Sequence, residues 1–304
     1  MKILKLNQKM LIAICALIAL LTSAELLTKP VHAQAGAGAA QSTKGAVMKG
    51  KAPVNKNVLQ VKLPRAEETT LRNGLRVILL RQTKVPTFTA QMVVLSGGLS
   101  DKPDFRGLAS FTASLLREGT TKRSSKDIAE QVDSIGATLN SGSGFSNTTS
   151  TVTASGLVEN LDQAFDLFAA VIRNPTFPAE EVEKYKTRAL AQLQFQRSNP
   201  QFLAQEQFSR AIYGEHPAAL VAPPAESIKK LTTKDLAGFH STYYRPNNAI
   251  LAIVGDVTLK ELMPRIEKAF GDWQKVDVPA TTIPAVPAQA GSRILLIDLS
   301  LIHI

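Results

Sequence analysis

The chain has almost no cysteine. Its single thiol, Cys15, lies in the N-terminal segment. The remainder therefore has no disulfide, no cysteine nucleophile and no cysteine-ligated metal. Histidine is nearly as scarce. Beyond that segment there are only His216, His240 and His303, and none lies within four residues of another. This excludes a pair of imidazoles presented from one turn of a single helix. Gly-x-Ser-x-Gly is absent as well, so there is no nucleophile elbow. The formal charge is +10, yet no block of five Lys or Arg occurs and acidic residues are interspersed throughout. A nucleic-acid partner is not expected from that pattern. The longest apolar run near the start, Met10 to Leu21, has 12 residues, too few to cross a bilayer comfortably.

What is present at the N-terminus is a targeting signal. Lys2, Lys5 and Lys9 precede the apolar run, and Val31-His32-Ala33 offers small residues where a signal peptidase reads them. Residues 1–33 are expected to be a signal peptide cut after Ala33, with Ala24 as a second cut site. An uncleaved segment would be the one route to membrane contact. The protein is thus expected to be exported, to the periplasm or cell envelope. Residues 34–57, rich in Ala, Gly, Lys and Pro without apolar period, read as a disordered linker.

Order is expected from Val58. Asn73-Gly74 marks a tight turn between short strands, and Phe88 to Ser96 has the β-branched run of a buried strand. Leu108, Phe111 and Leu115 fall on one face of a helix. Ser124-Ser125 caps the next helix, Lys126 to Ile135, with Glu130 placed to meet its first turn. Ser141-Gly142-Ser143-Gly144 reads as a hairpin connection, since it lacks the Lys and following helix of a phosphate loop. Further helices are expected at Leu157 to Ile172, Ala179 to Arg197, Phe202 to Ile212, Thr233 to Tyr243 and Thr258 to Phe270, with a buried strand at Ala249 to Val254.

The stretch Asp104 to Thr120, DFRGLASFTASLLREGT, places Ser110 and Ser114 one turn apart on the first of these helices, with Ala113 between them. It resembles the pitrilysin/insulinase metallopeptidases, whose inverted zinc motif is His-x-x-Glu-His in the frame Gly-Leu-Ala-His-Phe-x-Glu-His-Met-x-Phe-x-Gly-Thr. Gly107, Leu108, Ala109, Phe111, Gly119 and Thr120 match that frame. Gly136 to Asn140, Tyr213 to Pro217 and Tyr244 to Val257 match further family segments in order, so the likeness extends from about Leu71 to Asp298.

The resemblance implies an α+β fold: an antiparallel sheet of about six strands with packed helices, forming the first unit of a two-unit clamshell. That unit is expected over 58–275, followed by a Pro/Ala-rich linker at 276–291. The start of a second, apparently truncated unit is expected at 292–304. It also implies which positions would bear the chemistry. Ser110 and Ser114 stand at the two imidazole positions, Ala113 at the catalytic carboxylate, and Gln192 at the third, carboxylate ligand. None of the four is a good zinc ligand or base. No catalytic residue, metal ligand or cofactor is therefore expected in this chain. Zinc is expected in a catalytic insulinase-like partner, with which this chain would share a peptide substrate as the non-catalytic subunit. Two other readings stay open: an active zinc endopeptidase with displaced ligands, and an envelope scaffold without a peptidase role. His216 is expected to be a turn residue, His240 a partly buried helix residue, and Glu118 solvated. Arg106, Arg117, Lys122 and Arg123 form a positive edge.

Overall fold

A computed structural model describes residues 65–288 together with Gly291 and Ile294. The expected signal peptide, the 34–57 linker and nearly all of 292–304 lie outside the described residues.

Six strands form one sheet: β1 (Glu67–Thr70), β2 (Arg76–Arg81), β3 (Thr87–Val94), β4 (Thr138–Ser143), β5 (Ser150–Leu157) and β6 (Ala249–Gly255). Their order is β1-β2-β6-β3-β5-β4. Alternation along each strand sends every second side chain to the helical layer. Register then aligns those side chains across strands. Val77, Leu251, Met92 and Val152 form one buried row, and Leu79, Ile253, Ala90, Ala154 and Leu139 form the next. The opposite face carries half-buried polar residues such as Gln91 and Thr153, whose side chains hydrogen-bond at 3.4 Å.

The sheet is mostly antiparallel, as expected, with one exception. β6 enters between β2 and β3, and it runs parallel to β2 while antiparallel to β3. Hairpins force antiparallel pairing, but β6 returns after a long helical excursion, and such a crossover permits parallel pairing. At the Asn73-Gly74 turn Gly74 has φ +92, a conformation that glycine adopts without strain. The Asn73 amide donates to the carbonyls of Phe270 and Trp273 at 2.6 and 3.2 Å, which ties the turn to the far end of the unit.

Eight α-helices lie among the described residues: α1 (Leu108–Leu115), α2 (Ser125–Ser134), α3 (Leu161–Arg173), α4 (Ala179–Arg197), α5 (Pro200–Tyr213), α6 (Ala225–Lys230), α7 (Thr233–Tyr243) and α8 (Leu259–Phe270). Reciprocal capping boxes start α2, α7 and α8 through Ser124/Asp127, Thr232/Asp235 and Thr258/Glu261. In α2 the boxed acid is Asp127. Glu130 instead pairs with Lys126, one turn away, at 3.6 Å. α3 turns Leu161, Ala164, Phe165, Phe168 and Ile172 inward, at the 3.6-residue period of an amphipathic helix. Phe165 and Phe168 meet Phe270 edge-on, with ring centroids 5.9 and 6.3 Å apart. α4 and α5 contribute far less to the core. Val182 and Leu193 are the buried residues of α4, and Ser209 that of α5. Among the described residues no helix is long and apolar enough to cross a membrane.

After α8 the chain from Val276 to Ala288 has no regular structure and runs back over the body. Asn247 Nδ2 donates to the Val276 carbonyl at 3.0 Å, and the Ser100 and Thr281 hydroxyls lie 2.8 Å apart.

Candidate functional site

The site is organised by α1, and both ends of this helix are tied to the fold. At its N-terminus the Asp101 carboxylate accepts from the backbone N–H groups of Gly107 and Ala109 at 2.7 and 2.9 Å. It thereby satisfies donors that the helix itself cannot pair. Burial drives the Asp101 carboxyl up to about 7, against the lowering pull of those N–H groups and of Arg106. Burial and the neighbouring Asp101 charge likewise raise the Tyr243 phenol. Gly107 has φ +98, and a Cβ there would lie 2.8 Å from the Pro223 side chain. Glycine at this point of the frame thus serves the backbone path and a close approach.

At the C-terminal end the Arg117 guanidinium donates to the Leu139 carbonyl of β4. Thr176 N–H donates to the Gly119 carbonyl at 3.0 Å. Glu118 is not simply solvated: it is half-buried and accepts from the Ser125 hydroxyl at 2.6 Å. The positive edge is partly committed too, because Arg123 pairs with Asp166 at 2.7 Å and Arg106 donates to the Glu215 carbonyl at 3.0 Å.

On this helix Ala113 is fully buried, Ser110 is 8% exposed, and Ser114 is half-buried. Among the described residues no imidazole, amine or carboxylate hydrogen-bonds to either serine hydroxyl. Neither serine is thus poised as a nucleophile. Gln192 is exposed on α4 and lines a cavity of about 390 Å³. Phe111 of α1 reaches the same cavity, whereas Ser110, Ala113 and Ser114 are not among its walls. One wall is α4, through Tyr185, Arg188, Ala189, Gln192, Leu193 and Gln196. Phe145, Ala222, Pro223 and Ile228 complete the enclosure. Phe111 packs edge-on against Tyr185 at 5.0 Å, and the Arg188 guanidinium lies 5.8 Å from the Tyr185 ring centre.

At the four positions that the resemblance aligns with the zinc motif stand two neutral hydroxyls, a methyl group and a carboxamide, a donor set that does not suit zinc. Among the described residues no group of three His, Cys, Asp or Glu side chains could hold a metal. The histidines are engaged elsewhere. His216 is a buried turn residue: its Nδ1 accepts from Ala218 N–H at 3.0 Å, so its Nε2–H donates to the Pro284 carbonyl at 2.9 Å. His240 Nε2–H donates to the Ile172 carbonyl at 2.7 Å, and its ring stacks on Tyr244 at 4.7 Å. Burial pushes His240 down to about 4, so it is neutral near pH 7. His303 lies outside the described residues.

A larger cavity, about 880 Å³, lies between α3 and α8. Its arginines are paired: Arg123 with Asp166 and Arg265 with Asp162 within its walls, and Arg173 with Asp272 outside them. This cavity is a salt-bridged seam and includes none of the motif positions.

The cavity that Gln192 lines was not foreseen from the sequence. Tyr185, Arg188, Gln192 and Gln196 recur at helical spacing along α4, and that stripe was the available signal. Phe145 and Pro223 come from loops, whose positions no periodicity reveals.

Comparison with known proteins gives the same outline. The family model described as insulinase (peptidase family M16) matches residues 76–222, and the one described as peptidase M16 inactive domain matches residues 230–299. The chain belongs to the insulinase (M16) family. Its relatives include an uncharacterized zinc protease of Rickettsia felis, 26% identical over 206 residues, which span 67% of this chain and 50% of that protein. Mitochondrial-processing peptidase subunit beta of Rattus norvegicus is 28% identical over 223 residues, or 72% of this chain and 45% of that protein. This chain therefore spans about half the length of the curated relatives it matches. Among solved structures, a peptidase M16 inactive domain from Pseudomonas fluorescens superposes with TM-score 0.67 at 25% identity, covering 73% of this chain and 54% of that one. The periplasmic protease PqqL from Escherichia coli shares the fold, with TM-score 0.67 at 17% identity over 75% of this chain and 26% of that one.

Proposed function

We propose that this M16 unit is a non-catalytic, peptide-binding subunit that works beside a zinc-bearing catalytic unit. The observation that carries the proposal is the exchange at the four motif positions. The backbone frame of α1 is held at both ends, while Ser110, Ala113, Ser114 and Gln192 offer neither ligand nor base. What remains beside them is a binding surface. The cavity pairs apolar walls from Phe111, Phe145, Pro223 and Ile228 with the Gln192 and Gln196 carboxamides, each able to donate and accept. An extended peptide could set a side chain into the apolar part and bond its backbone to the amides. Zinc, the nucleophilic water and the base would then come from a partner unit of the same fold.

Relatives of about twice this length support the idea that a second unit completes the assembly. The apolar N-terminal run after three lysines supports export, which would place the assembly in the periplasm or envelope.

The test is a peptidase assay on the purified chain with a panel of unfolded fluorogenic peptides, with and without added zinc. The proposal expects no turnover above background but saturable peptide binding. Chelator-sensitive turnover by this chain alone would overturn it in favour of an active enzyme with displaced ligands. An absence of all peptide binding would favour a scaffold.

A further inference from the structure

We infer that the cavity selects peptides in which a large apolar side chain neighbours a carboxylate. The inference rests on the peptide-binding reading and names the class of peptide. At about 390 Å³ the cavity has room for an aromatic or branched side chain, and Phe111, Phe145, Pro223 and Ile228 supply apolar surface for it. Among the described residues no acidic side chain lines it, and its one cation is Arg188.

That cation is distinct on its helix. The other basic residues of α4 are paired among the described residues. Lys184 lies 2.7 and 3.1 Å from Glu180 and Glu181, Lys186 lies 2.9 Å from Glu183, and Arg197 lies 3.3 Å from Glu206. The acids of α4 are thus committed to those lysines. Among the described residues no carboxylate comes within 4.0 Å of the Arg188 guanidinium, which is exposed and lies over the Tyr185 ring at 5.8 Å from its centre. A cation–π contact with a ring leaves the guanidinium N–H donors open to a carboxylate. Tyr185 also touches Phe111, so the apolar floor and the cation share one aromatic support. A ligand with an apolar group and an adjacent negative charge satisfies both at once. An acidic side chain or a free chain terminus could supply that charge, and the two sources are separable.

The probe is fluorescence polarisation with dye-labelled ten-residue peptides differing at one position: an internal Phe-Glu, Phe-Gln or Phe-Lys pair with amidated ends, and a peptide ending in Phe with a free carboxylate. Phe-Glu is expected to bind about 5-fold more tightly than Phe-Gln, and Phe-Lys more weakly than either, as suits one partly exposed charge pair. A gain of that size for the free terminus over its amidated form identifies chain ends as the source. Arg188→Gln should remove the charge-dependent difference, Arg188→Glu should invert it, and Lys184→Gln should leave it intact. Binding that is indifferent to charge, or a preference that survives Arg188→Gln, would overturn this inference while the peptide-binding reading stands. Failure of every peptide to bind would overturn both.

Discussion

Asp101→Asn isolates the electrostatic tension under the motif helix. The carboxylate accepts two backbone N–H groups at the start of α1, which favours its charged form, while burial opposes that charge. Burial wins, and the group titrates near 7 in the folded protein against an ordinary value of 3.8. A carboxyl whose folded pKa lies above its unfolded one stabilises the fold most fully below the unfolded value. The contribution is lost as pH rises through the interval and is gone above about 7. A shift of roughly three units corresponds to at most about 4 kcal/mol across that window. Asparagine has the shape of the protonated acid but does not titrate. Urea denaturation of both proteins at steps from pH 4 to pH 8 separates this group from every other carboxylate, because the others are common to the pair. The native protein should lose stability relative to the variant as pH rises, chiefly between pH 4 and pH 7. A pH-independent difference would refute the reasoning. So would a native protein that gains relative stability with pH, since the helix N–H donors would then outweigh burial.

Two further outcomes follow from the packing and the donor set. Phe270→Ala removes a fully buried ring from between Phe165, Phe168 and Trp273, and should cost about 3–5 kcal/mol in chemical denaturation; a loss below about 1 kcal/mol would mean that α8 is not anchored there. The combined change Ser110→His, Ala113→Glu, Ser114→His and Gln192→Glu places imidazoles and carboxylates at the four aligned positions, and should raise zinc uptake from near zero to about one per chain. If the folded variant takes up no zinc, α1 and α4 do not present these four positions to one ion.

Local features of the chain were legible before any coordinates. The 3.6-residue spacing of Leu108, Phe111 and Leu115 located α1, and the helix expected from Ala179 to Arg197 is α4. The capping residue Ser124 opened α2 as expected. Non-local features were not legible. Alternation shows that β6 is buried but not that it inserts between β2 and β3, because pairing partners are chosen across the fold. The same limit hid the cavity, whose walls come from α1, α4, α6 and two loops. Glu118 and Arg117 read as surface charges because their partners, Ser125 and the Leu139 carbonyl, meet them only once the chain has turned back. The motif helix shows both sides of this. Its frame was readable from Gly107 and Gly119, but the reason for glycine at 107, the approach of Pro223, lies more than a hundred residues away.

In the proposed function α1 and α4 keep the family's frame without its metal. The most direct measurement is zinc per chain by elemental mass spectrometry on the purified protein, after equilibration with zinc and removal of the loosely bound ion. Less than about a tenth of an equivalent is expected, since hydroxyls and a carboxamide do not substitute for imidazole and carboxylate. Retention of about one equivalent, lost on Ser110→Ala or Gln192→Ala, would contradict it and show that these residues do hold the ion.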